Sequence, residues 1–137
     1  MRERLFGSWR LVSYETTDAQ GRKGRPYGEA VGRISYDANG NMAGQVMRPD
    51  RTPVELDVSQ ARHAAAAYAG YIAYFGSYEV AADGRSVVHH VQGSLNPAWV
   101  GGQQVRQLRF DGERLILSTV TSKNGTAITH ELTWERC

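Results

Sequence analysis

Tight-turn signals recur along this chain at hairpin spacing, and that regularity restricts the fold more than any other feature. They stand at Asp18-Ala19-Gln20-Gly21, Asp37-Ala38-Asn39-Gly40, Ala82-Asp83-Gly84-Arg85, Asp111-Gly112 and Asn124-Gly125. Asn-Gly and Asp-Gly favour hairpins because both residues tolerate positive φ, which matches the twist of antiparallel strands. The segments between are short and rich in Val, Ile, Tyr, Trp, Thr and Phe. They predict strands at about Gly7–Thr16, Val31–Tyr36, Asn41–Arg48, Tyr71–Val80, Ser86–Gly93, Gln103–Phe110, Glu113–Val120 and Thr126–Glu135. About eight strands joined this way either stack as a sandwich or close as an up-and-down barrel. Hairpin after hairpin, with few long crossings, favours closure, which removes exposed strand edges.

One interruption reads as helical. Asp57 is placed to cap a helix over Val58–Tyr68, with Gln60 completing a capping box and Gly70 ending it. The run Ala64-Ala65-Ala66-Ala67 has high helix propensity, while Pro49 and Pro53 break any ladder before it. Such a helix covers an open barrel end or supports its packing. The fold expected is therefore all-β: an antiparallel up-and-down barrel of about eight strands with one short inserted helix. With 137 residues and no repeat or linker, residues 1–137 form one domain.

Charge and cysteine content exclude several classes. The net charge is +2, with basic residues scattered among acidic ones, which argues against a nucleic-acid-binding face. The only cysteine is Cys137, so no internal disulfide forms. Together with a charged start, MRERLFGSWR, that lacks an apolar leader, this predicts a cytoplasmic protein. No stretch approaches the roughly 20 apolar residues of a membrane span.

Alternation sorts the side chains by face. In the last strand Ile128, His130, Leu132 and Trp134 share one side and Thr129, Glu131, Thr133 and Glu135 the other. Ile72, Tyr74, Gly76, Tyr78 and Val80 form one face of their strand, Val87, His89 and Val91 of theirs, and Arg106, Leu108 and Phe110 of the next. Where both faces carry apolar residues, the helix or a second copy of the chain (a homodimer) is expected to cover the outer wall. The inward set mixes apolar groups with Tyr, His and Arg. A packed core tolerates such polar tips only when each finds a partner, whereas a ligand cavity uses them to orient its guest.

Each candidate has a plain structural alternative. His89 and His90 are adjacent on a strand, so only one of them faces inward. A neutral histidine inside a cavity moves protons at ordinary pH, and His130, His89 and Tyr78 are the acid–base candidates; a hydrogen-bonded core histidine explains the same residues. Asn96-Pro97-Ala98-Trp99-Val100-Gly101-Gly102 places a large flat ring on a sharply bent loop, as a rim over a bound ring system or as a plug. There is no His-Glu-x-x-His, cysteine pair or ordered acidic loop for a metal, and no glycine pattern for a nucleotide, so neither metal nor cofactor is expected.

The chain resembles the bacterial lipocalin-like domain family. The pieces that carry the resemblance are Gly7-Ser8-Trp9-Arg10-Leu11-Val12-Ser13-Tyr14, Gly32-Arg33-Ile34-Ser35-Tyr36-Asp37 and Met47-Arg48-Pro49-Asp50-Arg51. Further on come Tyr74-Phe75-Gly76-Ser77-Tyr78, Val88-His89-His90-Val91 and Asn96-Pro97-Ala98-Trp99-Val100-Gly101. The resemblance implies a short calycin-type barrel with a central cavity, in which Arg136 packs across Trp9 and closes one end. It implies no particular reaction.

The expected function is binding of a small, largely apolar organic molecule among Tyr14, Tyr74, Tyr78, His89, Trp99, Arg106 and His130. The alternative is a cofactor-independent cyclase or isomerase acting on a polyketide- or terpenoid-like substrate in the same cavity. A third reading is a filled barrel that serves as an interaction module. A hollow of roughly 300 Å³ or more separates the first two from the third.

Overall fold

The turn residues set the strand ends. Asp37 accepts hydrogen bonds from the backbone N–H of Asn39 (2.9 Å) and Asn41 (2.8 Å), and Asp18 from those of Gln20 and Arg22, both at 2.9 Å. Asn124 (φ 53°) and Gly125 (φ 78°) both take left-handed backbone, as the tightest hairpin requires. The computed structural model describes residues 2–55 and 57–137. Its strands are β1 (Gly7–Asp18), β2 (Lys23–Gly24), β3 (Val31–Tyr36), β4 (Asn41–Met47), β5 (Tyr71–Val80), β6 (Ser86–Ser94), β7 (Gln103–Asp111), β8 (Arg114–Lys123) and β9 (Thr126–Arg136). All pair antiparallel in chain order, apart from the two-residue β2, which sits beside the far end of β1. β1 also pairs β9, so the remaining eight strands close into an up-and-down barrel.

Most strand ends fall within two residues of the expectation; the largest difference is at the end of β8, and β2 is an additional strand. β8 and β9 run to a hairpin at Asn124-Gly125, so β8 continues past Val120 to Lys123 through the polar residues Thr121 and Ser122. Ladder hydrogen bonds hold that stretch without burial. The two-residue β2, Lys23–Gly24, pairs with the end of β1 although neither residue has strand propensity, so the sequence pattern does not show it.

The inserted helix begins where expected. Asp57 and Gln60 form the capping box, but the first turn, Val58–Gln60, is 3₁₀ and the α-helix α1 spans Ala61–Ala69. The Gly70 N–H ends it on the Ala66 carbonyl. None of its described residues is buried; α1 touches β5, and the Tyr27 hydroxyl donates to the Ala69 carbonyl at 3.1 Å. It leaves the outer wall uncovered: Phe75 on β5 is 54% exposed and Val105 on β7 46% exposed. Among the described residues no helix is long and apolar enough to cross a membrane.

The sheet has two register irregularities, and the first aims a side chain inward. The β1–β9 register shifts between Leu11 and Ser13, so Trp9 and Leu11 point inside on one phase and Tyr14 on the other. Strict alternation from Trp9 would turn Tyr14 outward; the bulge returns it to the interior. A second shift, between Phe75 and Gly76, brings the His90 carbonyl so close that a Cβ on Gly76 would stand 1.8 Å from its oxygen. Only glycine fits there.

One end of the barrel is sealed. A 3₁₀ turn over Arg2–Leu5 folds across it and buries Leu5 completely. The Trp9 indole N–H donates to the Leu5 carbonyl at 2.9 Å. The Arg136 guanidinium lies 4.2 Å from the centre of the Trp9 ring and donates to the carbonyls of Phe6 and Arg4, both at 2.6 Å. It thus satisfies carbonyls of the very turn that the indole anchors. Removing Trp9 opens this seal from inside. Trp9→Ala is expected to cost roughly 3–5 kcal/mol in urea denaturation. Arg136→Ala destabilises less, because its guanidinium reaches solvent; equal losses would contradict this picture of the seal.

Candidate functional site

The barrel is not filled by its own side chains. A hollow of about 340 Å³ opens at the end opposite the Trp9 seal. Its walls are apolar: Ile34, Val46, Ile72, Leu117, Leu132 and Trp134. These come from inward positions of β3, β4, β5, β8 and β9, as period-two alternation dictates. Polar groups break the apolar lining at Tyr14, Tyr74, His89, Gln104, Arg106 and His130, and also at Gln45, Thr119 and Thr121. Trp99, half-buried on the loop between β6 and β7, meets Tyr74 edge-on at 6.0 Å and completes the rim. No described residue of α1 lines the hollow, so the helix stands beside the barrel and does not form its floor or lid.

Of the two adjacent histidines, His89 faces in and is 1% exposed. His90 faces out, 3.3 Å from the Glu79 carboxylate. His89 is held on both ring nitrogens: Tyr36 Oη lies 2.6 Å from Nε2 and Tyr74 Oη 2.6 Å from Nδ1. Burial first, then the Arg106 and His90 charges, push its pKa down to about 3. The ring is therefore neutral, with one N–H donor and one bare acceptor nitrogen.

That single proton gives the chain a direction. Tyr36 is 1% exposed, and its hydroxyl touches no acceptor but His89 among the described residues. Leaving a buried hydroxyl proton unpaired costs about 1–3 kcal/mol, so Tyr36 donates to Nε2. Nδ1–H then donates to the Tyr74 oxygen, and the Tyr74 proton is left for whatever occupies the hollow. Burial holds both tyrosines protonated, Tyr36 well above the usual phenol range and Tyr74 above it.

A second group lies across the hollow. Tyr14 Oη is 2.8 Å from His130 Nδ1, and Thr121 Oγ1 is 2.8 Å from His130 Nε2. Burial, and then Arg106, lower the His130 pKa. Among the described residues Arg106 is the one permanently charged side chain in the lining. It donates to Gln104 Oε1 at 3.0 Å and to the Val105 carbonyl at 2.9 Å, and no carboxylate pairs with it among the described residues. The buried indole N–H of Trp134 likewise has no acceptor among them. No group of residues that would hold a metal ion occurs among the described residues.

Six of the seven sequence-derived ligand candidates therefore line one hollow: Tyr14, Tyr74, His89, Trp99, Arg106 and His130. Tyr78 does not. It points inward, but near the sealed end, where its hydroxyl donates to the Asp37 carbonyl at 2.6 Å and its ring meets Tyr36 edge-on at 4.8 Å. Alternation gave its face correctly and said nothing of its depth. Sequence reasoning missed Tyr36 and Thr121. Tyr36 shares its face with Ile34, but its partner His89 lies across the barrel from it, 53 residues away.

An up-and-down barrel, sealed at one end by an arginine on a tryptophan and hollow at the other, is a calycin-type architecture, one that commonly encloses small hydrophobic molecules. The chain belongs to the family described as lipocalin-like domain, whose model matches residues 6–137. Comparison with curated proteins and with solved structures gave no match.

The His89 environment has a consequence for stability. With a pKa near 6.5 in the unfolded chain and about 3 when folded, the unfolded state binds more protons between those values. The stability that neutral His89 contributes is complete above pH 6.5 and is lost as pH falls toward 3. His89→Asn is expected to flatten urea-derived stability against pH across that window. The lowered carboxylates Asp18 and Asp37 are common to both proteins and cancel in the comparison. Parallel slopes would mean that His89 is solvated.

Proposed function

We propose that the protein binds a small, largely apolar organic molecule inside the barrel. The observation that carries this reading is the hollow of about 340 Å³, bounded by Ile34, Val46, Ile72, Leu117 and Leu132 and dotted with a few polar tips. Ligand pockets span roughly 300–1,000 Å³ and combine apolar walls with a few placed polar groups, so this one suits a compact guest. Tyr14, Tyr74, His89, Trp99, Arg106 and His130 form the proposed contact set. A cytoplasmic setting agrees with the single cysteine at position 137.

The lining includes two tryptophans, Trp99 and Trp134, which provide a direct readout. The neutral probe N-phenyl-1-naphthylamine is expected to bind and quench their fluorescence saturably. Ile72→Trp, which adds bulk inside the hollow, is expected to weaken that binding at least tenfold while the thermal transition stays cooperative. Unsaturable quenching, or equal affinity in the variant, would remove the hollow as the binding site.

A second reading is catalysis without a cofactor, a cyclase or isomerase acting on a polyketide- or terpenoid-like substrate. It is favoured by His130, a neutral imidazole that faces the hollow with a tyrosine at hydrogen-bond distance. Such a ring can take a proton from a folded substrate and return it elsewhere on the carbon skeleton. For any substrate found to turn over, this reading expects His130→Ala to abolish kcat while leaving substrate affinity within a few-fold. Parallel loss of affinity, turnover and Tm would make His130 a packing residue.

A further inference from the structure

The hollow is unbalanced in charge and in hydrogen bonding. Arg106 brings a permanent positive charge into it, and among the described residues no Asp or Glu lines it. The two histidines that line it are kept neutral, so they neither add to nor cancel that charge. The hydroxyl chain that starts at Tyr36 ends with a donor, the Tyr74 O–H, turned to the interior. The Trp134 indole N–H, though also without an acceptor among the described residues, is buried and is not offered to a guest. Arg106 and the Tyr74 O–H thus offer a cation and a donor to a guest, against a largely apolar background that also holds the amides and hydroxyls of Gln45, Gln104, Thr119 and Thr121.

Adjacent strands carry these groups into the same hollow. Tyr74 is on β5, His89 on β6 and Arg106 on β7, three consecutive strands, with His89 directly opposite Gln104 across the β6–β7 ladder. Arg106 follows Gln104 on the same inward row and is tethered to its side-chain oxygen. The Arg106 charge acts on Tyr74 and His89 and also, across the hollow, on Tyr14 and His130. A wholly apolar guest would leave the guanidinium half desolvated and the Tyr74 proton unmatched. A carboxylate answers both: its two oxygens accept two parallel guanidinium N–H bonds or one from each donor, while its hydrocarbon fills the apolar wall.

We infer that the ligand is an apolar carboxylic acid, bound as its carboxylate, with its head on Arg106 and Tyr74 and its hydrocarbon body against Ile72, Leu117 and Leu132. This inference rests on the proposed binding in the hollow and names the class of guest. A neutral amphiphile of the same size is the alternative.

A matched pair of probes separates them. Binding of 4-phenylbutyrate and of 4-phenyl-1-butanol is measured by titration calorimetry at pH 7 in the wild-type protein, Arg106→Gln, Arg106→Lys and Tyr74→Phe, each checked for a cooperative thermal transition. The acid is expected to bind about tenfold more tightly than the alcohol. That ratio should fall to about one in Arg106→Gln, survive in part in Arg106→Lys, and drop about threefold in Tyr74→Phe. A ratio near one in the wild-type protein, or one that Arg106→Gln leaves intact, would overturn the acid assignment and leave the hollow as a binding site. If N-phenyl-1-naphthylamine binds and neither phenylbutyl probe does, the acid assignment fails alone. If no probe binds, both readings fail together.

Discussion

Pairing between the first strand and the last is the constraint on which the rest of this molecule depends. Once β1 meets β9, every strand has an inside and an outside, and alternation decides which side chains share a closed space. Closure also explains the bulge near Val12. Trp9 must reach the sealed end and Tyr14 the hollow, and the two positions differ in phase by one residue. The extra residue in β1 lets a single strand serve both ends.

The seal and the hollow are complementary solutions to the problem of a barrel interior. At the sealed end a turn, an indole and a guanidinium exclude water, and each polar atom named there has a backbone partner. Toward the open end the polar groups are partnered to one another in short chains that run out at the wall. The Tyr36–His89–Tyr74 chain is the sharper case. Its buried terminus, Tyr36, fixes the proton order, and its half-buried terminus, Tyr74, inherits the leftover donor. Full satisfaction at one end and a directed surplus at the other distinguish a scaffold region from a recognition region within one fold.

Much of this was legible in the sequence, for identifiable reasons. Hairpin turns are local, so the Asp-Gly and Asn-Gly pairs located strand ends well, and the Asp57–Gln60 capping box placed the helix start. Periodicity gave the inward faces of Ile72, Tyr74, His89 and Leu132. What it omitted was depth and partnership. Tyr78 shares a face with Tyr74, yet one turns to the sealed end and the other to the hollow. The partnership of Tyr36 with His89 spans the barrel and depends on the stagger of strands, which no single strand encodes. The helix was expected to cover an open end or support packing; its small side chains let it lie beside β5 without reaching the interior.

The central claim is that the space inside the barrel, and not its outer wall, receives a guest. Amide chemical-shift mapping by ¹H–¹⁵N NMR during titration with N-phenyl-1-naphthylamine tests this most directly. The account predicts saturable shifts clustered at Tyr14, Ile72, Tyr74, His89, Trp99 and Leu132, with the segment around Trp9 and Arg136 still. Shifts confined to the outward residues Phe75, Val105 and Val120 would contradict it.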